Sequence, residues 1–509
     1  MGSLTRTKSI AELIAASEAH SGRLRRHLGL WSLVALGIGS VIGAGIFTLT
    51  GTAAAGLQFD FSSIYKAPVL DLLMHGRHAL GVTGRPGAGP GISLSFLLVA
   101  VACGFAALCY AELASMIPVA GSAYTYAYAT MGEIFAWIIG WDLILEYAVS
   151  NMAVAVGFSA YLNDLLENVT GFRLPESLSN PVFIEDKPTG AIFNLPAFVL
   201  IMVLTWILVR GVRESAQANN WMVLIKLAAI LLFVFGAARA VNTANWHPFL
   251  PNGFSGVLTG GAIVFFTYIG FDSVSTAAEE CNEPQRNMPL GILITLAACS
   301  ILYAAVALVL TGIARWDTLN NAAPVANALK MLGYNRLRLV VTIGALLGMI
   351  SSLLVFQYGQ ARIWFAMSRD RLLPALFSRV HPKYETPHVS TWIAGFVVGI
   401  PAGILDIGTL GDLTNIGTLF AFVVVSAGVI ILRRKQPDYK RGFRVPWVPF
   451  LPLLSMGCCL VLMLSLPLET WIRFVVWLII GLTVYWLYSR HRSEFSPRRA
   501  AAIETAPKR

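Results

Sequence analysis

The sequence predicts an all-α integral membrane protein of about twelve transmembrane helices, and three observations predict it. Of 509 residues, 56% are hydrophobic and only 13% charged, with a mean hydropathy of +0.68, too apolar for a soluble chain of this size. Apolar runs of about 20 residues, the length that crosses a bilayer core, recur along almost the whole chain. Lysines and arginines gather in alternate connections between those runs, as the positive-inside rule requires.

The runs fall at about 31–55, 91–116, 133–163, 193–210, 221–240, 256–281, 289–313, 338–366, 389–405, 409–432, 447–468 and 471–488. They define a transmembrane domain over 28–488 between tails at 1–27 and 489–509. The segments 57–90 and 164–192 are rich in Gly, Pro and charge and read as loops on the outer side. A polar start and a long first run argue against a cleavable signal peptide. The formal net charge of +10 raises the question of nucleic acid, and the distribution answers it. The basic residues concentrate in the tails and in inner connections such as Arg433 to Arg444, so both termini are expected in the cytoplasm, in a multi-pass inner (cytoplasmic) membrane protein. Cys103, Cys109, Cys281, Cys299, Cys458 and Cys459 sit in or beside apolar runs, which indicates neither a disulfide framework nor a metal site. The histidines lie in tails and loops without a facing pair. His75 and His78 read as part of a solvated loop, and no enzyme chemistry is indicated.

The first run contains Gly37, Gly39, Gly43 and Gly45 within nine residues. Each glycine costs roughly 0.5–1 kcal/mol against alanine inside a helix, so the cluster predicts close packing or a break. A break at membrane depth persists only where protein, water or ligand meets the freed backbone groups. The sixth run carries a second interruption, from Gly260 and Gly261 through Phe266-Thr267-Tyr268-Ile269-Gly270-Phe271-Asp272. Interruptions at corresponding positions of two halves point to a transporter built of inverted repeats. The repeats are expected at about 31–240 and 256–432, five helices each, with the helices at 447–488 peripheral.

A broken helix predicts its own chemistry. Amides opened at Ala44 and Gly45 begin a half-helix and favour an anion such as a carboxylate. Carbonyls freed at Val41 and from Phe266 to Ile269 favour an ammonium. The two together describe the α-carboxyl and α-amino groups of an amino acid, with Ile42, Gly43 and Thr267 in the same walls.

The motifs Gly39-Ser40-Val41-Ile42-Gly43-Ala44-Gly45-Ile46-Phe47, Pro118-Val119-Ala120-Gly121-Ser122-Ala123-Tyr124, Tyr268-Ile269-Gly270-Phe271-Asp272 and Tyr358-Gly359-Gln360-Ala361-Arg362 resemble the amino acid-polyamine-organocation superfamily. Ser275-Thr276-Ala277-Ala278-Glu279-Glu280 and Phe365-Ala366-Met367-Ser368-Arg369-Asp370 resemble its cationic amino acid transporter branch. The resemblance runs from about Leu28 to the end of the twelfth run. It implies a five-plus-five inverted-repeat fold with broken helices 1 and 6, and alternating access. It also implies substrate carboxylate on the Ala44 and Gly45 amides, the amino group on the Val41, Phe266 and Ile269 carbonyls, and Phe266 as an aromatic gate. Twelve runs, against the fourteen of animal cationic carriers, look like the bacterial form. The segment from Leu57 to Pro90 is longer than a plain connection.

Charges inside the runs mark function. Lys226 lies about one turn into the fifth run, where a lysine costs roughly 2.5–3.5 kcal/mol on insertion scales and must face protein, snorkel or lose its proton. The resemblance places it where other members hold sodium, bridging helices 1, 5 and 8, which implies proton coupling. Glu146 is the second intramembrane candidate, to shuttle protons to Lys226 or to line the side-chain pocket. Asp272 is expected to cap the second half-helix of the sixth run, and Glu279, Glu280 and Arg362 to form an inner ion-pair gate. In the eighth run Ser351 and Ser352 are expected to face Lys226, with Met349 limiting side-chain room.

The expectation is a secondary active transporter for cationic or broad-range L-amino acids, coupled to H⁺, with no cofactor, metal or nucleic acid. An exchanger or uniporter is the nearest alternative, and an amino-acid-sensing receptor the alternative of another class. The expected partners are the amino acid, the lipid bilayer and, where one exists, a small single-span accessory subunit, with the oligomeric state left open.

Overall fold

The computed structural model describes residues 7–10, 13, 28–57, 64–75, 85–119, 122–184, 187–211, 215–384 and 386–493. The first span is two helices, α1a (Leu30–Val41) and α1b (Ala44–Ala55), meeting at 46°. It is followed by α2 (Ile92–Met116), α3 (Glu133–Thr170), α4 (Leu195–Arg210) and α5 (Ser215–Ala237). The sixth span comprises α6a (Gly253–Val264) and the 3₁₀ coil α6b (Phe271–Glu280). Then come α7 (Pro284–Ile313), α8 (Asn335–Arg369), α9 (His388–Ala402), α10 (Ile407–Lys435), α11 (Phe450–Leu464) and α12 (Leu468–Val484).

Among the described residues eight helices are long and apolar enough to cross a membrane, and the bent pair α1a–α1b makes a ninth. The remaining three expected spans are α4, α9 and α11, apolar but shorter. Their ends are set by local chemistry. Asn194 caps α4 through the Ala197 amide with a proline in the first turn, and Pro401 lies in the last turn of α9.

Sequence identity between the halves does not reveal the repeat, but the packing does. Three pairs are counterparts of each other: α2 lies against α7, α3 against α8 and α4 against α9. The other contacts come as mirror images: α1a on α7 is matched by α6a on α2, α5 on α8 by α10 on α3, and α5 on α1a by α10 on α6a. This pattern is what a twofold exchange of helices 1–5 with helices 6–10 requires. The last mirrored pair is also joined by corresponding hydrogen bonds. Lys226 Nζ of α5 donates to the Gly39 and Ile42 carbonyls of the first span, and Asn415 Nδ2 of α10 donates to the Ala262 carbonyl of α6a at 2.8 Å. Helices α11 and α12 pack outside the repeats, α11 on α2 and α10, α12 on α3 and α10.

The long connection after α1b folds back on the bundle. Gly56–Leu57 pairs with Arg85–Pro86 in a two-residue antiparallel ladder, and buried Arg85 reaches Asp412 of α10 at 2.6 Å. A short helix, Val69–His75, lies between. His78 and the ends of both tails fall outside the described residues.

Candidate functional site

The first break occurs at two residues. Ile42 is extended (φ −81°, ψ 92°), Gly43 leaves the helical region (φ −123°, ψ −140°), and α1b starts at Ala44. The Ala44 and Gly45 amides therefore stand in a first helical turn, where N–H groups have no acceptor within the helix and the dipole is positive. Glycine is needed here for closeness. A Cβ on Gly43 would lie 2.9 Å from Ser352 Oγ, and one on Gly45 would lie 2.7 Å from Thr267 Cγ2 and 3.1 Å from Thr267 Cα.

The second interruption is milder. After α6a a 3₁₀ turn, Phe265–Tyr268, leads to extended Ile269 and to Gly270 at φ +111°, a conformation that favours glycine. The span keeps its direction to within 40°. Asp272 was expected to cap α6b, but the N-cap position is Gly270 and carries no side-chain cap; Asp272 stands in the first turn, its carboxylate accepting from Ser122 Oγ at 3.4 Å. Ser273 Oγ donates to the Gly270 carbonyl and lies 2.7 Å from Ser40 Oγ, joining α6b to α1a.

Between the breaks lies a cavity lined by Ser40, Val41, Gly43, Ala44, Gly45, Ser150, Val154, Phe266, Ile269, Ser352 and Phe356. Its free volume, about 10 Å³, holds roughly one water molecule, and every lining side chain is buried. The space is thus closed in this structure, too small for an amino acid. Six of the nine expected substrate-binding residues line this space: Val41, Gly43, Ala44, Gly45, Phe266 and Ile269. Ile42 and Thr267 are buried beside it, Thr267 Oγ1 donating to the Val264 carbonyl. Met349 is buried in α8 outside the lining set, and α8 presents Ser352 and Phe356 instead.

Lys226 is completely buried, and its ammonium donates to the carbonyls of Gly39 (2.6 Å) and Ile42 (2.8 Å) at the end of α1a. Ser352 Oγ approaches the same two carbonyls at 3.2 Å each. The Gly348 position of α8 faces the lysine stem, an added Cβ lying 3.2 Å from Lys226 Cδ. Helices α1a, α5 and α8 thus meet at one amine. Ser351 is buried on α8 next to this contact.

Sequence reasoning missed Tyr303. This buried α7 hydroxyl lies 3.0 Å from the Val41 carbonyl and 2.9 Å from the Thr267 carbonyl, linking the two breaks. Its ring packs against Phe96 and Tyr268 with centroids 5.5 and 5.3 Å apart. The sequence offers little signal, since the same apolar run also carries the hydroxyls of Thr295, Ser300 and Thr311. Tyr303→Phe keeps the ring and leaves both carbonyls without this donor, so uptake should fall roughly 10-fold for a lost bond of about 1.5 kcal/mol, with thermal stability little changed. A transport assay beside a melting curve checks it.

Glu146, buried on α3, lies among Asp142, Asp272 and Thr418, and it is not a lining residue. Arg362 stacks on Tyr358 at 3.9 Å, while the side chains of Glu279 and Glu280 lie outside the described residues. The end of the bundle where a gate was expected carries another contact: Lys8 reaches Asp370 at 3.1 Å, and Tyr124 donates to the same carboxylate at 2.6 Å.

A family model described as amino acid permease matches residues 28–485. The methylthioribose transporter of Bacillus subtilis is 46% identical over 97% of this chain and 99% of its own length. The branched-chain amino acid permease BcaP of the same organism is also 46% identical, with the same coverage. The chloroplastic cationic amino acid transporter 9 of Arabidopsis thaliana is 32% identical over 97% of this chain and 93% of its own. With broken spans facing a shared cavity, mirrored five-helix repeats and this match over nearly the whole chain, the protein belongs to the amino acid permease family of the amino acid-polyamine-organocation superfamily and is a multi-pass membrane transporter.

Proposed function

We propose that this permease is a proton-coupled symporter that carries neutral amino acids, small or branched, into the cell across the cytoplasmic membrane, with both termini inside. The observation that carries the coupling is the buried Lys226 ammonium bonded to the Gly39 and Ile42 carbonyls. Those freed carbonyls form a seat for a monovalent cation, and a lysine tethered there makes the cation a proton. Charged, the amine ties α1a to α5; neutral, it no longer offers a charge-assisted bond and α1a is released. The substrate's shared atoms fit the first-turn amides of Ala44 and Gly45 for carboxylate and the carbonyls near Ile269 for the amino group.

The side-chain wall favours a neutral substrate. Val154, Phe266, Ile269 and Phe356 surround the cavity, and no charged side chain lines it among the described residues. The name of the branched-chain permease at 46% identity agrees with that wall better than do the cationic transporters at lower identity. Methylthioribose lacks a carboxylate for the Ala44 and Gly45 amides.

Purified protein in proteoliposomes should accumulate labelled valine, leucine or alanine when the interior is made alkaline, and not when a sodium gradient replaces the proton gradient. Accumulation of methylthioribose without any amino acid, or stimulation by sodium, would overturn the reading.

A further inference from the structure

A second space lies away from the broken helices, at the end of the bundle where α1b finishes. The short helix Val69–His75 is strapped there across the turn between α11 and α12. The Val69 amide donates to the Leu466 carbonyl, the Leu468 amide donates to the Ala67 carbonyl, and Pro68 pairs with Pro467. Between this helix, the first two turns of α6a and the end of α11 runs a groove with a free volume of about 170 Å³, against about 10 Å³ for the cavity between the breaks.

The groove presents hydrocarbon. Leu70 and Met74 of the short helix line it together with Phe254 and Leu258 of α6a. Two hydroxyls in its wall are spent on their own helices: Thr259 Oγ1 donates to the Ser255 carbonyl at 3.0 Å, and Ser465 Oγ donates to the Val461 carbonyl at 2.9 Å. An apolar cavity of about 150 Å³ accepts a benzene-sized guest, so this one accepts a segment of several methylene groups.

Its surroundings name the guest. Leu454, Val461 and Ser465 recur at helical spacing on one face of α11. Leu454 and Val461 are exposed, on a span whose exposed side chains meet lipid, and Ser465 is buried in the groove wall. The lipid-facing strip of α11 therefore runs straight into the groove. The rim is apolar as well, with Leu73 69%, Met74 66% and Phe254 62% exposed. Five of the seven residues of the short helix are apolar, and so small an element leaving Leu73 and Met74 uncovered suits the bilayer interface and not water.

We propose that this groove is a lipid site, in which one acyl chain of a membrane phospholipid enters along α11 and lies between the short helix and α6a. The short helix rests in the interface and roofs the chain. A free fatty acid would bring its carboxylate toward partly exposed Asp71, which also lines the groove, setting two like charges together. A phospholipid keeps its charges in the headgroup. Helix α6a leads directly into the Phe265–Tyr268 turn, whose Phe266 lines the cavity between the breaks. The chain thus bears on the half-helix that carries one wall of that cavity.

The test is photolabelling of the full-length protein in vesicles of phosphatidylethanolamine and phosphatidylglycerol, with a trace of phospholipid bearing a diazirine in one acyl chain, mapped by peptide mass spectrometry. Labelling at 69–74 and 254–259 should exceed that at Ile479 and Ile480, exposed on α12, at least ~10-fold, as for a site one decade tighter than passing lipid contact. Leu258→Trp and Leu70→Trp, which fill the groove from opposite walls, should bring it down to the α12 level while α12 labelling stays the same. Wild-type labelling no denser than on α12, or dense labelling that survives both substitutions, overturns the proposal. If neither variant folds, the wild-type comparison decides by itself. A diazirine fatty acid that labels the groove as strongly as the phospholipid overturns the assignment of the occupant.

Discussion

Lys226→Ala is expected to abolish accumulation driven by a pH gradient, at least ~10-fold, in a protein that still folds. The magnitude follows from two charge-assisted hydrogen bonds at 2.6 and 2.8 Å, each worth about 1.5–3 kcal/mol. Folding survives because Ser352 Oγ already lies within reach of the Gly39 and Ile42 carbonyls and donates its one proton to either of them. Loss of the buried stem leaves a cavity that lowers the melting temperature by several degrees. The measurement is uptake with the interior alkaline against uptake with no gradient, on wild type and variant side by side. A variant whose uptake still rises with the pH gradient as the wild type's does would remove Lys226 from the coupling mechanism.

Gly45→Ala should be nearly as damaging, for a steric reason. The added methyl would meet Thr267 Cγ2 at 2.7 Å and the Thr267 backbone at 3.1 Å, and the backbone cannot rotate away as a side chain can. Overpacking of this kind costs about 1–3 kcal/mol. Here it pushes the first turn of α1b off the α6 turn, separating the amides proposed to take the carboxylate from the carbonyls proposed to take the amine. A KM raised at least ~10-fold is expected, since both groups belong to every amino acid. Gly104→Ala is the matching control: nothing lies within 4 Å of the Cβ it would add, and alanine is the better helix former by about 1 kcal/mol. Equal KM values for Gly45→Ala and Gly104→Ala would remove the amide site from the binding scheme.

The parts of this architecture legible in the sequence are those where a residue is costly in its place. Four glycines in one apolar run marked close packing or a break, and both occur: Gly43 leaves the helical region, and a Cβ on Gly37 would collide with Thr295 and Val274. A lone lysine in another run marked Lys226, and an acid after the second interruption marked Asp272, which stands in the first turn of α6b and not at its cap. What the sequence did not disclose depends on register between helices. Met349 and Phe356 are seven residues apart, two turns on the same face of α8, and only the height of α8 against α1 decides that Ser352 and Phe356, not Met349, reach the cavity. The pairing of carbonyls is of the same kind. Val41 was expected to serve an ammonium, yet its carbonyl faces the Tyr303 hydroxyl, while Gly39 and Ile42 receive the lysine. Backbone carbonyls carry no side-chain signature, so which one meets which donor is known only once the helices are packed. The milder form of the second interruption has a similar origin, since a 3₁₀ turn and one left-handed glycine produce it without a large change of direction.

The mirrored bonds at the two ends of the twofold exchange bear on direction. Lys226 fastens α5 to the first span, and Asn415 fastens α10 to the sixth. An asparagine amide holds no proton that it can lose at any physiological pH, whereas an amine does. On the proton-coupled reading proposed above, two latches of similar build hold the two repeats, and hydrogen ions turn only the lysine one. Acidity then acts as a thumb on one pan of a nearly balanced scale, giving a machine of symmetrical parts a preferred sense of rotation.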